Sequence, residues 1–145
     1  MSGIYIHIPF CRQACNYCNF HFATSLKYKD DFIIALINEI NITNLFNDGK
    51  DETIETVYFG GGTPSLLSAN DLDRIFEALH KKFSISKSAE ITLEANPDDV
   101  NNNALLAWKS AGINRLSMGI QSFDEDELVW MNRAHRAAAA PRSKR

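Results

Sequence analysis

Apolar positions alternate along this chain between two spacings. Ile4 to Ile8 is β-rich and Pro9 closes it. From Tyr28 to Phe46 the apolar residues Phe32, Ile33, Leu36, Ile37, Ile40 and Leu45 fall at helical intervals. Asn47-Asp48-Gly49 ends that stretch with turn chemistry. Thr56 to Phe59 predicts a second short strand, running straight into Gly60-Gly61-Gly62-Thr63-Pro64. Ser68 or Asn70 can cap the next helix, where Leu72, Ile75, Phe76, Leu79 and Phe83 repeat at helical spacing. Glu90 to Glu94 alternates as a third strand and stops at Asn96-Pro97. A helix over Asn102 to Ser110 with Gly112 as its stop follows, then a strand from Arg115 to Gln121 and a helix from Asp124 to Met131.

The order βαβαβαβα predicts parallel strands joined by right-handed crossovers, so an α/β barrel or open sheet. Four units are too few to close a barrel of six or eight strands, and the chain reads as cut short. Its last ten residues, 136–145, depart abruptly in composition, with four successive alanines before Pro141 and a basic end. They are expected to be a disordered tail, either a frameshifted or truncated end or a natural basic extension. Residues 1–135 are expected to form the ordered unit.

Composition changes this picture little. Of 145 residues, 45% are hydrophobic and 23% charged, with a net charge of -3, an ordinary globular profile. No sustained basic run suggests nucleic acid. No basic segment precedes a long apolar one, and no window reaches the roughly 18 apolar residues of a membrane span. The expected location is the cytoplasm.

The chemistry concentrates in a few places. Cys11, Cys15 and Cys18 are the chain's only cysteines, and all lie within eight residues, directly after the first strand. An odd number packed so tightly argues for a metal or cluster over a disulfide framework. Thiolates suit zinc or iron–sulfur clusters. A [4Fe–4S] cluster ordinarily takes four cysteines, so three would leave one iron open to a substrate or cofactor. A Cys₃His zinc site with His21 or His7 fits the same spacing, and three unliganded thiols remain a third reading.

Gly60-Gly61-Gly62-Thr63-Pro64 follows the second strand at the same sheet end as the cysteines, where parallel α/β folds bind ligands. It is not a Walker A loop, and alone it could be a tight βα turn. Glu94 ends the third strand opposite Ile91 and Leu93, so its carboxylate needs partners, either ribose hydroxyls or an ion pair. Gln121 ends the fourth strand at the same rim and Arg133 follows on the next helix, while Arg115 sits earlier on that strand and can be structural. Tyr5 and Tyr17 could serve a cofactor or simply pack. His7, His80 and His135 show no catalytic spacing.

Tyr5-Ile6-His7-Ile8-Pro9-Phe10-Cys11 with Cys15, Tyr17 and Cys18, together with GGGTP, resembles the opening of radical S-adenosylmethionine (SAM) proteins. More narrowly, it is similar to the oxygen-independent coproporphyrinogen III oxidases and the related haem chaperones of the HemW type, over residues 3 to about 135. The resemblance implies the N-terminal part of a (β/α) radical SAM barrel. It implies that the three cysteines bind three irons of a [4Fe–4S] cluster and that the fourth iron chelates SAM. Reductive cleavage of SAM would then give a 5′-deoxyadenosyl radical. By the same resemblance Gly61, Gly62 and Thr63 would hold the methionine end of SAM. Tyr17 would cover adenine, and Glu94, Gln121 and Arg133 would contact SAM. Tyr5 would lie near SAM or the cluster.

The decarboxylating oxidases usually carry a further cysteine two positions after the third and an extra segment before the first strand. Here Phe20 holds that position and the first strand begins almost at Met1, which resembles the chaperone branch. The implied partners are haem or a porphyrinogen, an electron donor for the cluster, and haem-acceptor proteins. Haem would bind in the full-length protein; no residue of this chain stands out as its ligand.

Overall fold

A computed structural model describes residues 2–19, 21–43, 53–134 and 136. Four βα units follow in order. These are β1 (Ser2–Ile8) and α1 (Lys29–Ile42), β2 (Ile54–Gly61) and α2 (Ala69–Lys82), β3 (Ile85–Ala95) and α3 (Asn102–Ser110), and β4 (Arg115–Met118) and α4 (Glu125–Trp130). The strands form one parallel sheet in the order β1-β2-β3-β4. Each strand lies beside its predecessor with no reversal, so right-handed crossovers place the connecting helices α1, α2 and α3 on one face. The result is an arc of a (β/α) barrel.

The helix-covered face carries the core. Ile6 and Ile8 of β1, Val57 and Phe59 of β2, and Leu93 and Ala95 of β3 pack with Ile33 and Ile40 of α1, Leu72, Ile75, Phe76 and Leu79 of α2, and Trp108 of α3. Period-2 alternation therefore sends the intervening residues to the opposite face. In register across it run Tyr5, Tyr58, Thr92 and Arg115, and nearer the strand ends Glu94 beside Ser117. That face is polar and aromatic, as a barrel lumen is.

Element ends follow local chemistry. Ser68 caps α2 through a full capping box, its hydroxyl accepting from the Asp71 amide while the Asp71 carboxylate accepts from the Ser68 amide. Asp71 is buried and also receives Lys29 Nζ from α1, which ties the first two helices together. Gly112 closes α3 at φ 105°, a left-handed position glycine adopts without strain.

Several boundaries differ from expectation. β1 and β2 each begin two residues early, at Ser2 and Ile54, and β2 runs on to Gly61. β4 ends at Met118, not Gln121: Ser122 N–H turns back to Ile120 O, and Gln121 itself sits at φ 66°. β3 begins five residues earlier than the alternation suggests, at Ile85. Phe83 is the C-terminal cap of α2 rather than part of it. Short 3₁₀ turns at Pro64–Leu66 and Pro97–Asp99, each opened by its proline, extend the loops after β2 and β3. α1 ends at Ile42, four residues short of the expected Phe46, where Thr43 turns extended and caps it through its N–H to Glu39 O. The turn expected at 47–49 and residues 137–145 of the tail lie outside the described residues.

Candidate functional site

The C-terminal ends of the four strands open onto one cavity of about 370 Å³. Cys11, Cys15, Tyr17 and Cys18 line it from the loop after β1, and Gly61, Gly62 and Thr63 from the loop after β2. Glu94 and Asn96 enter from β3 and its loop, and Gln121 and Arg133 from the segments after β4 and α4. Ten of the eleven residues singled out from the sequence thus meet at one place. Tyr5 stands apart on the open sheet face, 58% exposed, its ring 5.9 Å from that of Tyr58.

Backbone contact between the first two loops sets the geometry. Gly62 N–H donates to Ile8 O at 2.8 Å and Thr63 N–H to Phe10 O at 2.6 Å. A Cβ on Gly62 would sit 2.6 Å from Phe10 O and 3.0 Å from Cys11 Sγ, so only glycine lets the strands approach this closely. These two amides are therefore committed to the cysteine loop. With those amides engaged, a carbonyl of this run would suit an amino group better than a carboxylate.

A hydrogen-bonded circuit closes around the cavity. Thr63, 5% exposed, bonds the Cys11 thiol through its hydroxyl and lies 3.5 Å from Asn96 Nδ2. Asn96 Oδ1 accepts from Arg133 Nη2 at 2.8 Å, and Gly119 O accepts from the same nitrogen at 2.7 Å. Arg133 Nη1 reaches Cys15 Sγ at 3.5 Å and the Tyr17 hydroxyl at 3.3 Å. Arg133 Nε is buried with no hydrogen-bond partner. Glu94 accepts from the Tyr58 hydroxyl at 2.6 Å, which fixes one carboxylate oxygen.

Electrostatics follow from this crowding. Burial pushes the Cys11 thiol up; its hydrogen bond with Thr63 opposes this, Cys18 and Cys15 add to it, and Arg133 opposes it. Burial also raises Tyr17, with the Arg133 guanidinium working against it. The Tyr58 phenol is raised chiefly by donating to Glu94.

The donor set fits a cluster. Three soft sulfur donors face one cavity, and the chain has no fourth cysteine. Among the described residues, no three His, Cys, Asp or Glu side chains stand as a single-ion site. Neither histidine weighed as a zinc ligand lines the cavity. His7 packs against Gly61, where an added Cβ would lie 2.7 Å from its ring, and its Nε2 lies 3.5 Å from His21 O.

Residues 5–140 match the radical SAM superfamily. The chain belongs to that superfamily. Among curated proteins, it is 36% identical to the heme chaperone HemW of Escherichia coli over 144 residues, covering 97% of this chain and 37% of that protein. Against heme chaperone HemW of Haemophilus influenzae the identity is 40% over 142 residues, 95% of this chain and 37% of the relative. The mitochondrial radical S-adenosyl methionine domain-containing protein 1 of Bos taurus is 36% identical over 143 residues, 96% and 31% respectively. The chain thus spans about a third of the length of these relatives. Among solved structures, the radical SAM enzyme coproporphyrinogen III oxidase (HemN) from Escherichia coli superposes with a TM-score of 0.81 at 26% identity, covering 95% of this chain and 32% of that one. Membership of the superfamily implies a [4Fe–4S] cluster and SAM.

Several residues of the site have no counterpart in the sequence reading. Asn96 was legible only as the residue before Pro97, yet it joins Thr63 to Arg133. Arg12 pairs with the buried Asp99 at 2.8 Å, anchoring the cysteine loop to the β3–α3 connection. Gln13, Asn16 and Asn132 bind that loop to the end of α4. No periodicity or motif signals these, because each partner lies tens of residues away.

Proposed function

We propose that this chain is part of a radical SAM [4Fe–4S] protein of haem and porphyrin metabolism, of the haem chaperone type. The observation that carries the reading is the convergence of three cysteines, and no fourth, with the glycine run, Glu94, Gln121 and Arg133 on one cavity. Cys11, Cys15 and Cys18 would hold three irons. The chemistry supplied by the bound cluster is one-electron reductive cleavage of SAM coordinated at its fourth iron.

The chain's own residues would bind and orient SAM. The carbonyls of Gly61 and Gly62 suit its amino group, while Thr63 fixes Cys11. The Arg133 guanidinium, which lines the cavity, suits its carboxylate. Glu94, steadied by Tyr58, suits ribose hydroxyls. Tyr17 offers a ring for adenine, and Gln121 a side-chain amide at the rim. Tyr5 lies farther down the open face, where a larger substrate would reach.

The chaperone assignment is supported by HemW relatives at 36% and 40% identity, against 26% for the oxidase structure. Haem, haem-acceptor proteins and an electron donor for the cluster are the partners this reading requires. The proposed domain is a radical SAM core over residues 1–135, followed by an atypical tail. The location we propose is the cytoplasm. No helix among the described residues is long and apolar enough to cross a membrane.

A titration with haem, and an assay for coproporphyrinogen III decarboxylation, test the reading in the full-length protein. Stoichiometric haem uptake without turnover is the expected result. Release of carbon dioxide from porphyrinogen would assign it to the oxidase branch instead. The zinc-module alternative requires Cys₃His ligation, and His7 and His21 are placed poorly for it.

A further inference from the structure

The end of α4 and the cysteine loop are held together by hydrogen bonds that span more than a hundred residues of sequence. Asn16 N–H donates to Met131 O at 3.1 Å, and Asn16 Nδ2 to Trp130 O at 2.6 Å. Gln13 Nε2 donates to Asn132 O at 3.0 Å and also contacts Asn132 Oδ1. Asn132 Nδ2 returns a bond to Ala14 O at 2.7 Å. The loop thus satisfies carbonyls that a helix C-terminus leaves without intrahelical donors. Asn132 sits at φ 57°, a conformation asparagine tolerates, and its side chain faces the loop from there.

Apolar burial does little to seat α4. The helix has six residues, of which only Leu128 is buried, while Val129 and Trp130 are 57% and 69% exposed. A helix so short has little stability of its own. Its position therefore depends on the loop it grips. Arg133, next in sequence, depends on the same position for its reach to Cys15, Tyr17 and Asn96.

We infer that Gln13, Asn16 and Asn132 are positioning residues that couple metal loading of the three cysteines to the seating of α4, and through it to the placement of Arg133. The inference rests on the cluster reading above. Fixing the three sulfurs on one group orders the loop, and an ordered loop holds α4. By reciprocity, a seated α4 favours loading by the same factor.

Hydrogen–deuterium exchange on the whole chain, with and without anaerobically reconstituted cluster, tests this. Iron and sulfide are assayed on the same samples. Loading is expected to slow exchange at the amides of Asn16, Leu128 and Met131 to Arg133 by about tenfold, within the usual range of site–site coupling. Gln13→Ala and Asn132→Gly are expected to abolish that slowing while leaving the far-ultraviolet circular dichroism unchanged. In both, SAM should perturb the electron paramagnetic resonance (EPR) spectrum of the reduced cluster less than in the parent. Asn132→Asp, which keeps the acceptor for Gln13, should recover part of the effect. Gln13 is on the exposed loop, so its variant tests the latch even if Asn132→Gly folds poorly. A loaded parent chain whose exchange matches the metal-free chain would overturn the coupling alone. Failure of the parent to take up iron and sulfide would overturn the cluster reading, and the coupling with it.

Discussion

Gly62 has no room for a side chain, because its Cβ would press on two backbone carbonyls, Phe10 O at 2.6 Å and Ile8 O at 2.9 Å. Backbone cannot swing aside as a side chain can. Gly62→Ala should therefore displace the cysteine loop, costing about 1–3 kcal/mol and most of the bound iron. Gly112→Ala offers the contrast. Nothing lies within 4 Å of its Cβ, so only the left-handed φ is penalised, by about 1 kcal/mol, and iron content should be unchanged. Denaturant melts and iron analysis of the two variants separate these effects. Asp71 makes a different prediction at this scale. Burial alone would raise its carboxyl, but hydrogen bonds from Lys29 and Ser68 outweigh this and hold it below the usual carboxylate range. A pKa lowered on folding adds stability that is present above the unfolded value, about 3.9, and is lost as pH falls through the folded one. Asp71→Asn should destabilise the protein by about 1–3 kcal/mol at pH 7. Its deficit against the parent should shrink below about pH 4, as denaturation midpoints across pH would show.

Elements were legible where their chemistry is local. The Ser68 cap, the α3 stop at Gly112 and the strand alternation of Ile91, Thr92, Leu93 and Glu94 all depend on residues within one turn or one pleat. Ser68→Ala should cost about 1 kcal/mol, read from urea denaturation, with no loss of metal binding. The start of β3 was hidden because Ser86, Lys87 and Ser88 are polar and carry no alternation, yet Ile85 pairs with Ile54 across a register shift. The end of β4 was overrun because Leu116, Met118 and Ile120 keep alternating past the point where Gly119 and Gln121 turn the chain. Of the site, the cysteines and the glycine run were readable as contiguous motifs. Glu94 and Gln121 were reached from their places at the strand ends, and Arg133 through the family resemblance. Asn96, Asp99, Gln13, Asn16 and Asn132 were not, since their roles exist only after the four loops have been brought to one rim.

At the scale of the molecule, the sheet is an arc, and the outer edge of β4 pairs with no strand among the described residues. An unpaired strand edge beside an open polar face is a template for association. The chain alone should self-associate with rising concentration in sedimentation experiments, and a chain carrying the remaining two-thirds of its relatives' length should not. The account as a whole depends on what the three cysteines hold. The measurement that decides it is anaerobic reconstitution with iron and sulfide, followed by iron, sulfide and zinc analysis and by EPR of the reduced sample with and without SAM. About four irons and four sulfides per chain, with a spectrum that SAM perturbs, is the predicted result. One zinc per chain, no reconstituted cluster and no response to SAM would contradict it.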